Sequence, residues 1–163
     1  MMQEKESESM SNEGTIYRIS GPVVTAIGMT ASMYNVVRVG NEGLMGEVIE
    51  LHGEKAIIQV YEDTSGMRPG EPVINTGETL SVSLGPGLLT EIYDGIQRPL
   101  ATLEEVMGVF ITRGVDADGI NLEKMWNFEA TVSEGDRVES GQIIGTVQET
   151  DTIVHKIMVP PGL

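Results

Sequence analysis

Few residues in this 163-residue chain combine the type and spacing that chemistry needs, and Gly114–Gly119 comes first. It is the single G-x-x-x-x-G in the sequence. A phosphate-cradling loop needs that spacing followed by Lys and then Ser or Thr. Backbone N–H groups then surround the phosphates while the lysine meets the terminal ones. Here Ile120 and Asn121 follow instead, and Asp116 and Asp118 lie inside the loop, where they repel an anion. No G-x-G-x-x-G is present. Asp116, Asp118 and Asn121 suit calcium by type, but the spacing is not that of an EF-hand and the closing glutamate is missing. The run Arg113–Asn121 therefore reads as a solvated acidic turn.

The remaining candidates are isolated. His52 and His155 lie far apart, each without a second His or Cys nearby, and the chain has no cysteine. That argues against a zinc site and removes disulfides and thiol catalysis. The nucleophile-elbow pattern G-x-S-x-G is absent. A carrier lysine belongs at the exposed tip of a hairpin, in an M-K-M or D-K-A setting. Lys156 stands in His155-Lys156-Ile157-Met158, without those neighbours. The expectation is no catalytic residue, no cofactor-binding residue and no metal ligand in this chain.

Composition narrows the classes further. The formal net charge is −15, which disfavours a general nucleic-acid role because phosphate binding needs a basic surface. No apolar run approaches the ~20 residues that cross a bilayer. The acidic, polar N-terminus does not read as a signal peptide. With one Trp, two Phe and four Tyr, the core must be mainly Val, Ile, Leu and Met. Twenty glycines separate short apolar runs, which favours strands and tight turns over long helices.

The elements follow in order. Residues 1–13, charged and serine-rich, read as a disordered tail. Residues 14–83 read as a barrel. Thr15–Ile27 alternates and breaks at Gly21-Pro22, and Tyr34–Val39 is a second run. Leu44–Leu51 and Lys55–Tyr61 flank a hairpin loop at His52-Gly53-Glu54. Glu62–Pro72 is a loop and Glu78–Leu84 the last strand. About six strands in roughly 65 residues imply a small closed barrel, whose limited core gains from packing against neighbours.

Residues 84–108 form a junction. Gly85-Pro86-Gly87 is a stiff turn. Leu88, Leu89, Ile92 and Ile96 recur at helical spacing, Asp94-Gly95 ends or kinks that helix, and Arg98-Pro99 runs on extended. Ala101–Gly108 adds one or two helical turns. Residues 109–163 hold a strand at Val109–Thr112 and the acidic turn, then the alternating run Trp126–Val132. There Trp126, Phe128, Ala130 and Val132 share one core-facing side. A turn at Gly135-Asp136, a short strand at Val138 and a turn at Gly141 complete a pattern also found in biotinyl and lipoyl carrier domains. That fold is a barrel-sandwich hybrid, here incomplete. The class is thus mainly β.

Three of these stretches resemble one family, in the right order. Leu84–Leu100, LGPGLLTEIYDGIQRPL, resembles the junction after the N-terminal barrel in catalytic A subunits of archaeal A-type and vacuolar V-type rotary ATPases. Tyr61–Val73, YEDTSGMRPGEPV, and Trp126–Leu163 resemble the same family, so the likeness runs from about Gly14 to the last residue. It implies the order barrel, junction, an inserted "non-homologous" barrel-sandwich region, then a nucleotide-binding domain. The parent protein would couple ATP synthesis or hydrolysis to proton or sodium transport. Mg-ATP or ADP is implied for that parent, with no cofactor for this chain.

Implied partners are B subunits in an alternating hexameric ring, where the barrels form a crown, and peripheral-stalk subunits through the insert. The implied location is cytoplasmic, peripheral to the cell membrane through the complex. The family continues beyond Pro160-Pro161-Gly162-Leu163, so the expectation is an N-terminal assembly region, inactive by itself. The alternatives are a biotinyl- or lipoyl-like carrier and a stand-alone β-barrel interaction module.

Overall fold

The computed structural model describes residues 11–108 and 112–162. The chain forms two compact units. One holds the residues up to Ser81 together with Thr112–Val115; the other holds Val82–Ile111 and Asp116–Leu163.

The first unit is built from six strands: β1 (Glu13–Ser20), β2 (Val23–Ile27), β3 (Asn35–Val39), β4 (Leu44–His52), β5 (Lys55–Val60) and β6 (Pro72–Thr79). They close into an antiparallel barrel in the order β1-β2-β5-β4-β3-β6, as the mainly β, six-stranded reading anticipates. Alternation sets the core. Val24 and Ala26 on β2, Val48 on β4 and Ile58 on β5 point inward. Gly46 is enclosed too, because a Cβ there would sit 2.8 Å from Ile58 Cγ2 and 2.9 Å from Gln59 O. Closure requires bent strands, and the register slips at Tyr17 on β1 and at Ile49 on β4 supply two of the bends. Both bulged side chains face outward.

One polar network lies among the apolar side chains. Asn75 and Asn35 are buried, and Asn75 Nδ2 donates to Thr30 O at 2.8 Å and to Asn35 Oδ1 at 3.2 Å. The Gly77 N–H returns a bond to Asn75 Oδ1 at 3.0 Å, and the Ser32 N–H reaches Asn35 Oδ1 at 2.7 Å. Asn75 is thereby bonded through both its amide nitrogen and oxygen, and Asn35 through its oxygen, which makes their burial tolerable.

Two expectations shift. The last strand is Pro72–Thr79, not Glu78–Leu84: Val73 and Ile74 pair with β1 and β3, whereas Leu80, Val82 and Leu84 are exposed outside any strand. The turn Arg68–Glu71 leads straight into pairing, with Pro72 opposite Thr15 on β1. The ordered part also begins before Gly14. The Thr30 N–H donates to Ser11 O, the Asn75 N–H donates to Asn12 O, and Glu13 already lies in β1. Residues 1–10 of the expected tail and Val109–Ile111 of the expected strand lie outside the described residues.

The second unit holds one 3₁₀ turn (Leu88–Thr90), helix α1 (Leu100–Met107) and a three-stranded antiparallel sheet in the order β7 (Phe128–Ala130), β8 (Ile143–Thr150) and β9 (Ile153–Met158). The short helix expected from Leu88, Leu89, Ile92 and Ile96 is reduced to that 3₁₀ turn, which stops before Ile92. Leu89 and Ile92 are exposed, so the helical spacing meets no core. Asp94 instead folds Tyr93–Pro99 into a tight loop. Its Oδ1 accepts the N–H groups of Ile96 (3.0 Å) and Arg98 (2.8 Å), and its Oδ2 accepts Arg98 Nε (2.8 Å). Gln97, at φ 62°, reads the Ser83 backbone on both sides, with Nε2 donating to Ser83 O at 2.7 Å and Oε1 accepting the Ser83 N–H at 2.6 Å.

The face assigned to Trp126–Val132 is not buried. β7 is only three residues long, all exposed, and Phe128 lies over Gly145, where any Cβ would fall 2.3 Å from the ring. Val138 is in no strand and is exposed. The buried apolar residues of this unit, among those described, are Leu103, Val147 and Val159.

Candidate functional site

The phosphate-loop spacing is built for something other than phosphate. Gly114 belongs to the first unit and Gly119 to the second. The Gly114 N–H, which a phosphate would need, donates to Glu62 Oε2 at 2.9 Å. A Cβ at Gly114 would come 2.5 Å from Glu42 O, and one at Gly119 would come 2.8 Å from the Gln97 amide carbon. Arg113 makes the adjoining clamp. Its Nη2 donates to Glu42 Oε1 at 2.9 Å, its Nη1 donates to Asp63 O at 2.9 Å and to Ser65 O, and its Nε pairs with Glu42 Oε2. The Glu42 carboxylate beside Arg113 raises its guanidinium pKa further. Asp63 is held below the usual carboxylate range by the hydroxyl and N–H of Ser65. Carboxylates thus occupy the positions where an anion would bind.

The other sequence candidates are not brought together. His52, near the tip of the β4–β5 hairpin, pairs with Glu50 at 2.8 Å and is exposed. His155 and Lys156 lie mid-way along β9, with Lys156 opposite Thr146 on β8. A lysine in mid-strand is not the hairpin-tip lysine that a carrier domain presents. No group of three or more His, Cys, Asp or Glu side chains capable of holding a metal occurs among the described residues.

Sequence reasoning missed one acidic centre, Glu149. Its side chain is fully buried on β8, where Gly145, Val147 and Glu149 fall at alternate positions. Its Oε1 accepts the N–H groups of Gly87 (2.8 Å) and Leu89 (3.2 Å). Its Oε2 accepts no hydrogen bond among the described residues and lies 3.5 Å from His155 Nδ1. Burial pushes the Glu149 carboxyl up, but the two N–H groups and His155 outweigh it and hold the group below its ordinary range. Tyr93, whose hydroxyl is also buried and unpartnered among the described residues, is pushed up by burial and by the charges of Glu91 and Glu149. A buried acid must find donors, but the sequence around Glu149 carries no sign that it is buried, and its donors lie some 60 residues upstream.

Two family models match, covering both units. The ATP synthase alpha/beta family β-barrel domain matches residues 16–77, and the ATP synthase alpha/beta subunit barrel-sandwich domain matches residues 117–163. The A subunit of the A-type ATP synthase of Methanosarcina barkeri is 62% identical over 154 residues, 94% of this chain and 27% of that protein.

The chain belongs to the ATP synthase alpha/beta family.

Other family members agree. The corresponding A subunit of Methanoculleus marisnigri is 66% identical over 149 residues, covering 91% of this chain and 25% of the relative. That of Halobacterium salinarum is 58% identical over 156 residues, covering 96% and 27%. The chain therefore spans about a quarter of the length of the curated alpha/beta family relatives it matches. No helix among the described residues is long and apolar enough to cross a membrane.

Proposed function

We propose that these residues are the N-terminal assembly region of the catalytic A subunit of an A/V-type ATP synthase, which couples ATP synthesis or hydrolysis to proton or sodium transport. The barrel takes its place beside B-subunit barrels in an alternating ring, and the insert, residues 109–163, contacts peripheral-stalk subunits. Nucleotide and Mg²⁺ are held elsewhere in the parent protein, and the complex sits on the cytoplasmic face of the membrane. The observation that carries this reading is the state of Gly114, whose N–H is committed to Glu62 beside an arginine that is itself committed to Glu42. The only G-x-x-x-x-G spacing in the chain thus offers phosphate neither its first amide nor a lysine. The outward faces of the barrel support an assembly role, since Tyr17, Tyr34, Ile49 and Ile74 are exposed upon it.

Two measurements test the reading. Calorimetry of this chain with Mg-ATP is expected to show no saturable heat up to about millimolar, a limit of roughly −4 kcal/mol. Micromolar binding would overturn the assignment of the nucleotide site to other residues. Sedimentation with a folded B-subunit barrel is expected to give a complex at tens of micromolar, and its absence would count against the ring contact.

A further inference from the structure

We infer that Glu149 is a charge-dependent latch: its ionised carboxylate gathers the Gly87 and Leu89 N–H groups and so holds the Gly85–Thr90 strap in its turn. Apart from Glu149, the strap is held by light packing: Gly85 is buried, and a Cβ there would lie 3.1 Å from Ile120 Cδ1, while one at Gly87 would lie 3.3 Å from Trp126 Cζ2. None of Leu88, Leu89 and Thr90 is buried, and Gly87 caps the 3₁₀ turn in the left-handed region, at φ 101°. Within the turn, the Leu88 N–H reaches Gly85 O only at 3.4 Å, and the Thr90 hydroxyl donates to Gly87 O at 3.1 Å. Against these stand two N–H donors converging on one oxygen of a fully buried side chain.

A carboxylate with no solvent access has to be compensated by donors, and bonds to an ionised acceptor are about twice as strong as neutral ones. Gly87 and Leu89 are those donors. The charged and titratable groups facing Glu149 are His155 on β9, 3.5 Å from Oε2, and Tyr93 on the chain just after the strap, whose hydroxyl feels the Glu149 charge. His155 favours the ionised form, whereas Tyr93 remains a neutral phenol. With its pKa depressed in the folded chain, Glu149 stays ionised through and above the ordinary carboxylate range. The latch is complete there and is lost as pH falls through the folded value. Protonation leaves an acceptor but removes the charge that made one oxygen sufficient for two donors. The strap then opens while the β8–β9 pairing, which uses other backbone groups, persists.

The experiment is an acid titration of the isotope-labelled 163-residue chain by NMR, with the same titration of Glu149→Gln. In the parent, the Gly87 and Leu89 amide resonances are expected to move together, with one midpoint below the usual glutamate range. In Glu149→Gln both are expected to be flat. Hydrogen exchange at those two amides is expected to be about tenfold faster in Glu149→Gln than in the parent near neutral pH, with β8–β9 amides unchanged. Amides that fail to titrate in the parent would overturn the latch, as would titration that survives in Glu149→Gln. Unchanged exchange at Gly87 and Leu89, or β8–β9 protection lost in step with theirs, would overturn it equally.

Discussion

Thirteen apolar side chains are buried in the barrel, against Leu103, Val147 and Val159 among the described residues of the second unit. The barrel closes its sheet, so every strand has two neighbours and every second side chain a place inside. The second unit has an open three-stranded sheet and long connections, and these are fixed by polar side chains reading the backbone. Glu149 holds Gly87 and Leu89, Asp94 holds Ile96 and Arg98, Gln97 holds Ser83, and Asp136 Oδ2 accepts the Ser133 N–H at 2.8 Å. Shape can thus be specified by packing or by hydrogen bonds, and the two fail differently. Packing loses energy in proportion to volume removed; a polar clamp depends on one atom and on its charge.

Truncating the barrel core gives the largest effect. Leu44→Ala or Ile58→Ala is expected to cost about 2–5 kcal/mol in denaturant unfolding followed by barrel signals. A loss under ~1 kcal/mol would erase the contrast with the second unit. Asn75→Ala comes next, at about 1–3 kcal/mol, because Asn35 and the Thr30 carbonyl lose a donor and the Gly77 N–H an acceptor. A neutral result would mean that water replaces the amide.

Asp94→Asn is expected to cost about 1 kcal/mol near neutral pH, within the second unit. Burial raises the Asp94 carboxyl, but the N–H of Arg98, its guanidinium and the N–H of Ile96 together bring it below the usual range. Its contribution is therefore present above the unfolded value and lost as pH falls through the folded one. Acid unfolding that spares the Tyr93–Pro99 loop longer than the barrel would reverse the comparison. Met125→Ser sits at the other extreme. The side chain is 91% exposed, so stability should change by no more than about 0.5 kcal/mol.

The barrel was legible in the sequence because its strands alternate and its turns carry Gly and Pro at the required places. Thr15–Ile27 resolved into β1 and β2 around Gly21-Pro22, and His52-Gly53-Glu54 became the hairpin of β4 and β5, with Gly53 at φ 59°. Periodicity failed where no core stood behind it. Leu88, Leu89, Ile92 and Ile96 keep helical spacing yet form one short turn, and Trp126–Val132 alternates cleanly yet contributes only β7. A repeat of apolar residues predicts an element only if some surface waits to cover them. Glu149 was missed for the opposite reason, since one acidic letter in Gln148-Glu149-Thr150 reads as solvated when nothing marks the donors some 60 residues upstream.

The seam that closes the barrel is narrow. β1 meets β6 through three paired residues, Glu13, Gly14 and Thr15 opposite Ile74, Val73 and Pro72, flanked by the Asn75 N–H bond to Asn12 O and the bonds of Ile16 with Gly70 and Glu71. The earliest-made strand is thus zipped to the latest-made one, with the rest of the barrel emerging between them. At ~5–20 residues per second on the ribosome, β1 waits roughly 3 to 13 s for its partner. During that interval its N–H and C=O groups along one side have only solvent or a chaperone to meet. Contacts so distant along the chain also slow the search once synthesis ends. Swapping the order of synthesis by joining β6 ahead of β1, with the natural link cut at an exposed loop, should shorten that wait and speed refolding.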